Sequence, residues 1–186
     1  MPLLRNASLI FIALLFLNGC GEEPLPKPRA MLRLSYPEAK MSGWQGDCPY
    51  GFEYNSRAEL EVGPGCALTL DYPRMKGAIY ITYKKVEDNL QSLLTDAQKL
   101  SYEHVVKADN ILEQPFVNKD QRVYGMFYEV RGNAASQAQF YVTDSTDHFV
   151  TGSLYFYAKP NYDSIYPAAV YLQKDIRKIM ETLKWQ

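Results

Sequence analysis

The stretch from Arg122 to Lys159 constrains this chain most, because it holds three strand-like runs separated by very short gaps. The first, Val123 to Val130, places Tyr124, Met126, Tyr128 and Val130 on one face and Val123, Gly125, Phe127 and Glu129 on the other. Both faces are largely apolar, the pattern of a strand covered on two sides. Gly132-Asn133 breaks the run, and Ala138 to Val142 restarts it with Ala138, Phe140 and Val142 on one face. The polar cluster Thr143-Asp144-Ser145-Thr146-Asp147 turns the chain again, and Phe149 to Tyr157 forms the third run. Parallel pairing needs a crossover of a dozen or more residues, so these runs predict an up-and-down antiparallel centre.

Around that centre the alternation changes period. Met31 to Tyr36 reads as a short edge strand, and Glu38 to Gly51, with Trp44 alone in it, as a loop. Arg57 to Val62 and Cys66 to Tyr72 read as strands around Gly63-Pro64-Gly65, a strong turn signal, and Gly77 to Val86 as another strand. Glu87-Asp88 then opens a helix whose stripe is Leu90, Leu93, Leu94, Ala97, Leu100 and His104. Ile111 to Val117 returns as an edge strand, because Pro115 cannot donate to a ladder. A second helix from Ile165 to Lys184 carries Pro167 in its first turn and buries Leu172, Ile176, Ile179, Met180 and Leu183. Strands, helix, strands, helix predicts an α+β fold, an antiparallel sheet with two amphipathic helices packed on it. The element order is similar to that of the PsbP/Mog1-like sandwich.

The amino terminus has a different character. The nine apolar residues Leu9 to Leu17 behind Arg5 are too few to span a bilayer and suit the core of a secretory signal. Leu17-Asn18-Gly19-Cys20 resembles a bacterial lipoprotein box, which makes Cys20 the lipidated residue and the new amino terminus. Pro24, Pro26 and Pro28 then form a semi-extended spacer. The expected organisation is a leader over 1–19, a lipidated Pro-rich tether over 20–40 and a single globular domain over 41–186. With a formal charge of -1 the chain has no basic footprint for nucleic acid.

Candidate chemistry is sparse. Cys48 and Cys66 enclose a short loop in a chain predicted to leave the reducing cytoplasm, so a disulfide is favoured over two buried thiols. No Cys or His pair beside them has metal-ligand spacing, and no cofactor or metal is expected. Asp144, Ser145, Asp147 and His148 have the composition of a hydrolase triad but lack a Gly-x-Ser-x-Gly elbow, and a hairpin turn needs the same residues. His104 reads as a core or capping histidine. Trp44 and the fifteen tyrosines would suit either a sugar-stacking platform or ordinary sheet packing, and packing is the better reading. No small-molecule substrate is identified. Trp44, Asp144, Asp147 and His148 remain as candidate partner-contact residues.

Several motifs in order carry a resemblance across nearly all of the mature chain. They begin with Pro26-Lys27-Pro28-Arg29 and Cys48-Pro49-Tyr50-Gly51-Phe52-Glu53-Tyr54, and continue through Gly132-Asn133-Ala134-Ala135-Ser136 and Phe140-x-x-Thr143-Asp144-Ser145. Gly152-x-Leu154-Tyr155-Phe156 and the terminal Glu181-Thr182-Leu183-Lys184-Trp185 complete them. Behind a lipoprotein box, this series resembles the gliding-motility lipoprotein GldD family of the Bacteroidetes. The resemblance implies a non-enzymatic accessory component of gliding motility, tied to type IX secretion. It also implies a lipid-anchored place in the cell envelope, at the outer membrane, with other gliding or secretion proteins as partners. The alternative is an envelope ligand- or glycan-binding module built on Trp44.

Overall fold

A computed structural model describes residues 34–103, 107–158 and 161–186. The leader, Cys20, the Pro-rich segment and His104 lie outside the described residues. Among the described residues ten strands and two helices follow one another: β1 (Met41–Gln45), β2 (Tyr50–Asn55), β3 (Glu59–Val62), β4 (Leu68–Tyr72), β5 (Gly77–Lys85), α1 (Leu90–Tyr102), β6 (Ala108–Asn118), β7 (Val123–Gly132), β8 (Ser136–Thr143), β9 (His148–Phe156), α2 (Tyr162–Thr182) and β10 (Lys184–Trp185). The fold is α+β. Seven strands form one sheet in the order β3-β4-β5-β9-β8-β7-β6, and β1-β2-β10 form a second. Every pairing in both is antiparallel.

The alternation read from the sequence sorts the two faces of the large sheet. Leu70, Ile79, Phe127, Phe140, Val142, Val150 and Leu154 point to one face, against Leu172, Ile176, Ile179 and Met180 of α2. Tyr50 and Phe52 of β2 close the same core, so α2 and the small sheet share that side. On the other face Phe149 packs with Val86, Leu93 and Ala97, bringing α1 over the middle of the sheet. Burying one such side chain stabilises the fold by about 1.5–3 kcal/mol, so these two clusters dominate the energetics. Arg177 of α2 ties in the far edge: its guanidinium lies 4.2 Å from the Phe127 ring centroid, donates to Gln114 of β6 at 2.5 Å and pairs with Glu129 at 3.7 Å.

Gly152 is needed by close approach. It faces Phe140 across the β8–β9 pair, and any Cβ there would overlap the Phe140 ring.

The structure corrects the sequence reading at several ends. Leu34 to Tyr36 form no strand. Tyr36 instead rests on Tyr171 of α2, ring centroids 5.3 Å apart, and the Tyr171 hydroxyl donates to the Pro37 carbonyl. The expected loop over Glu38 to Gly51 contains β1 and the start of β2, with Trp44 paired opposite Phe52. Glycines and polar residues around Trp44 hide the alternation of so short a strand. Glu87 and Asp88 precede α1 rather than open it, because Asp88 turns left-handed at φ 55°. Leu100, expected on the buried stripe, is exposed, and Ser101 is buried in its neighbourhood, its hydroxyl donating to Gln139 of β8 at 2.9 Å. Helix α2 starts at Tyr162, one turn earlier than predicted, so Pro167 lies inside it rather than in its first turn. Asn133, from the turn after β7, supports that earlier start by accepting the Tyr162 N–H at 2.8 Å.

Candidate functional site

The turn between β8 and β9 is held by its own side chains. The Asp144 carboxylate accepts the backbone N–H groups of Thr146, Asp147 and His148 at 2.9–3.0 Å, and the Thr146 hydroxyl at 2.9 Å. Burial opposes ionisation of Asp144, but these donors outweigh it and hold the carboxyl down to about 2. Thr143 donates its hydroxyl to the His148 carbonyl at 2.6 Å and accepts the Ser145 N–H at 2.9 Å. Ser145 takes a left-handed conformation, φ 70°, at the tip. The residues that resemble a triad therefore close a turn: Asp144 binds the His148 backbone, not its ring.

The His148 ring belongs to an aromatic series at this end of the molecule. Its Nδ1 shares a 3.0 Å hydrogen bond with the Tyr83 hydroxyl, and the ring stacks on Trp185, centroids 5.2 Å apart. Burial, then the Asp144 and Asp147 carboxylates, push the Tyr83 phenol up. Tyr83 stacks on Tyr50 at 5.9 Å, and Tyr50 and Phe52 carry Trp44 at 5.5 and 5.4 Å. Below them Cys48 and Cys66 are joined in a disulfide with Cα atoms 5.6 Å apart, and the Tyr50 hydroxyl donates to the Cys66 carbonyl at 2.7 Å. Burial pushes the Tyr50 phenol well above its ordinary value.

Trp44 and Trp185 line one open cleft of about 550 Å³. Its walls come from the β1–β2 hairpin, the end of α2, β10, and Asn118 and Gln121 beside the β6–β7 turn. Trp185 is fixed there by its Nε1–H, which donates to the Arg122 carbonyl at 3.0 Å.

Of the residues singled out from the sequence, the structure thus links Trp44 to His148 through Tyr50 and Tyr83, with Asp144 beneath the turn. Asp147 is exposed, and its carbonyl accepts the Val86 N–H. Sequence reasoning missed Trp185, Tyr50 and Tyr83 as members of this cluster. Trp185 follows the last helix, and no local periodicity relates it to a turn far earlier in the chain.

A second polar cluster also escaped the sequence. Asp175 of α2 is only 3% exposed, and burial raises its carboxyl above the usual range. Asn55 donates to Asp175 and to the Tyr171 hydroxyl, both at 2.9 Å. The Tyr72 hydroxyl lies near the same carboxylate but meets no partner in hydrogen-bonding geometry, so Asn55 is the firmer support. Among the described residues no group of three or more His, Cys, Asp or Glu is arranged to hold a metal. No helix among them is long and apolar enough to cross a membrane.

Residues 21–185 match the family described as gliding motility lipoprotein GldD. The chain belongs to that family. The matched segment contains the disulfide, the β8–β9 turn and both tryptophans of the cleft. Membership in the GldD family carries a role in gliding motility and the membrane association of an envelope lipoprotein. No curated protein matches the chain.

Proposed function

We propose that this GldD-family chain is a non-catalytic accessory component of the gliding machinery that works as a scaffold and is linked to type IX secretion. Family membership over 21–185 is the observation that carries the reading. The geometry supports it: Asp144 is committed to backbone donors and the His148 ring to Tyr83 and Trp185, so neither is poised to activate Ser145. Acyl chains on Cys20 hold the protein at the outer membrane, and the tether over 20–40 gives the domain over 41–186 its reach. Two or more chains anchor stably where one does not. Confinement of that kind raises the effective concentration of the domain near other gliding and secretion proteins. The contact surface is the β8–β9 end of the large sheet, with Asp147 and the His148 turn, joined to Trp44 of the small sheet through Tyr83 and Tyr50.

The test is complementation of a deletion strain with Ser145→Ala and with Asp147→Lys, scored for colony spreading. The scaffold reading expects Ser145→Ala to restore spreading fully and Asp147→Lys to restore it poorly. Failure of Ser145→Ala, with normal protein levels, would replace it with an enzymatic reading.

A further inference from the structure

We propose that the pocket lined by Arg57 and Arg74 binds the phosphate of an anionic lipid headgroup. Its volume of about 480 Å³ lies in the range of small-ligand sites, about 300–1,000 Å³. Three short connections build it: Tyr36-Pro37 ahead of β1, Ser56-Arg57 between β2 and β3, and Pro73-Arg74-Met75 between β4 and β5. The last two lie at the end of the large sheet opposite the β8–β9 turn. Each wall is held before any ligand arrives. Tyr36 rests on Tyr171, whose hydroxyl donates to the Pro37 carbonyl at 2.9 Å. The Ser56 N–H donates to the Lys40 carbonyl at 2.8 Å, and the Arg57 N–H to Asn55 Oδ1 at 3.2 Å. The Lys76 N–H closes the third wall on the Pro73 carbonyl at 3.2 Å. Walls already ordered in this way lower the entropy lost on binding.

The charged lining selects the class of ligand. Arg57 Nε donates to the Glu38 carbonyl at 3.2 Å, which orients the guanidinium and leaves its terminal nitrogens for a ligand. Among the described residues neither Arg57 nor Arg74 pairs with a carboxylate. A planar guanidinium meets two phosphate oxygens at once, and the Ser56 hydroxyl adds a further donor. Glu59 is the one acidic residue of the lining, so two arginines leave the pocket net positive. Position favours a lipid over a free phosphate. The chain enters the domain at this pocket, and from Cys20 to Tyr36 it spans at most about 55 Å when extended. Headgroups around an acylated Cys20 are therefore within reach, and a basic site adds a second membrane signal to the acyl chains. With this end on the bilayer, the β8–β9 turn at the opposite end faces away from it, towards partners.

The inference rests on the anchored reading for the source of the lipid, and it is tested apart from complementation. The unacylated mature chain over 21–186 is sedimented with vesicles of phosphatidylcholine alone or mixed equally with phosphatidylglycerol. The expected result is binding to the mixed vesicles only. Glycerol phosphate should displace the wild-type chain at an ionic strength where sodium chloride does not, a reading that needs no variant. Arg57→Gln combined with Arg74→Gln, both at exposed positions, should weaken vesicle binding about 30-fold. Lys84→Gln combined with Lys119→Gln removes the same charge from exposed positions at the opposite end and should leave binding unchanged. Equal binding to both vesicles, displacement by ionic strength alone, or equal loss in the two double variants would overturn the proposal. Binding of free glycerol phosphate as tight as that of vesicles would overturn the lipid as its source. A chain that ignores both vesicles yet restores spreading would sink this inference and leave the scaffold reading standing.

Discussion

The His148 imidazole lies nearly parallel to the Trp185 indole, with 17° between the planes, and so joins the β8–β9 turn to the last strand of the chain. His148→Ala removes this stack and the Tyr83 hydrogen bond together. A loss of about 1–2 kcal/mol is expected, which lowers Tm by roughly 3–6 °C. His148→Phe keeps the stack and should lose less. Thermal unfolding followed by circular dichroism compares the two, and equal losses would mean that the stack contributes nothing.

Asp144 makes the acid stability of the fold specific. Its carboxyl titrates at about 2 in the folded chain, below the unfolded value of about 3.9. A depressed carboxylate stabilises fully above the unfolded value, and the contribution fades as pH falls through about 4 to 2. Asp144→Asn should therefore flatten the stability profile across that window, and Asp144→Ala should lose about 1–3 kcal/mol at neutral pH. Urea unfolding between pH 2 and 6 reads both effects.

Asp175 has the opposite sign. Burial raises its carboxyl, so the folded state resists its ionisation and stability falls as pH rises through about 4. Asp175→Asn keeps an acceptor for Asn55 and should gain of order 1 kcal/mol at pH 7, with the gain vanishing towards pH 4. The same urea series decides it, and a loss at neutral pH would show that the charged form is the one the site favours.

The Cys48–Cys66 disulfide closes a loop that carries the first tryptophan-bearing hairpin into the core. Cys48→Ser combined with Cys66→Ser should lose about 3 kcal/mol by loop closure. Emission from Trp44 should shift to longer wavelength as Tyr50 loosens. Unchanged stability of the double variant would mean that the core holds this loop without the bond.

The sequence made the β5-to-β9 half of the sheet legible because apolar alternation there runs through Ile79 and Ile81, Phe127, Phe140 and Leu154, all buried. The Gly63-Pro64-Gly65 turn and the stripe of α2 were legible for the same local reason. Strand β1 was not, since only Met41 and Trp44 among its five residues are even half-buried. Pairing of β10 with β2 was invisible because two residues carry no period. For the site, Trp44 and His148 stood out singly by residue type. Their connection through Tyr50 and Tyr83, and the stack on Trp185, depend on how two sheets meet, which no local pattern encodes.

We propose that an anchored, non-catalytic GldD-family domain serves gliding and type IX secretion. Deletion of the gene, scored together for colony spreading and for secreted type IX cargo, reads both parts of that proposal. Both should be lost, the wild-type chain should restore both, and Cys20→Ala at equal abundance should restore neither. Normal spreading and normal cargo in the deletion strain would contradict it.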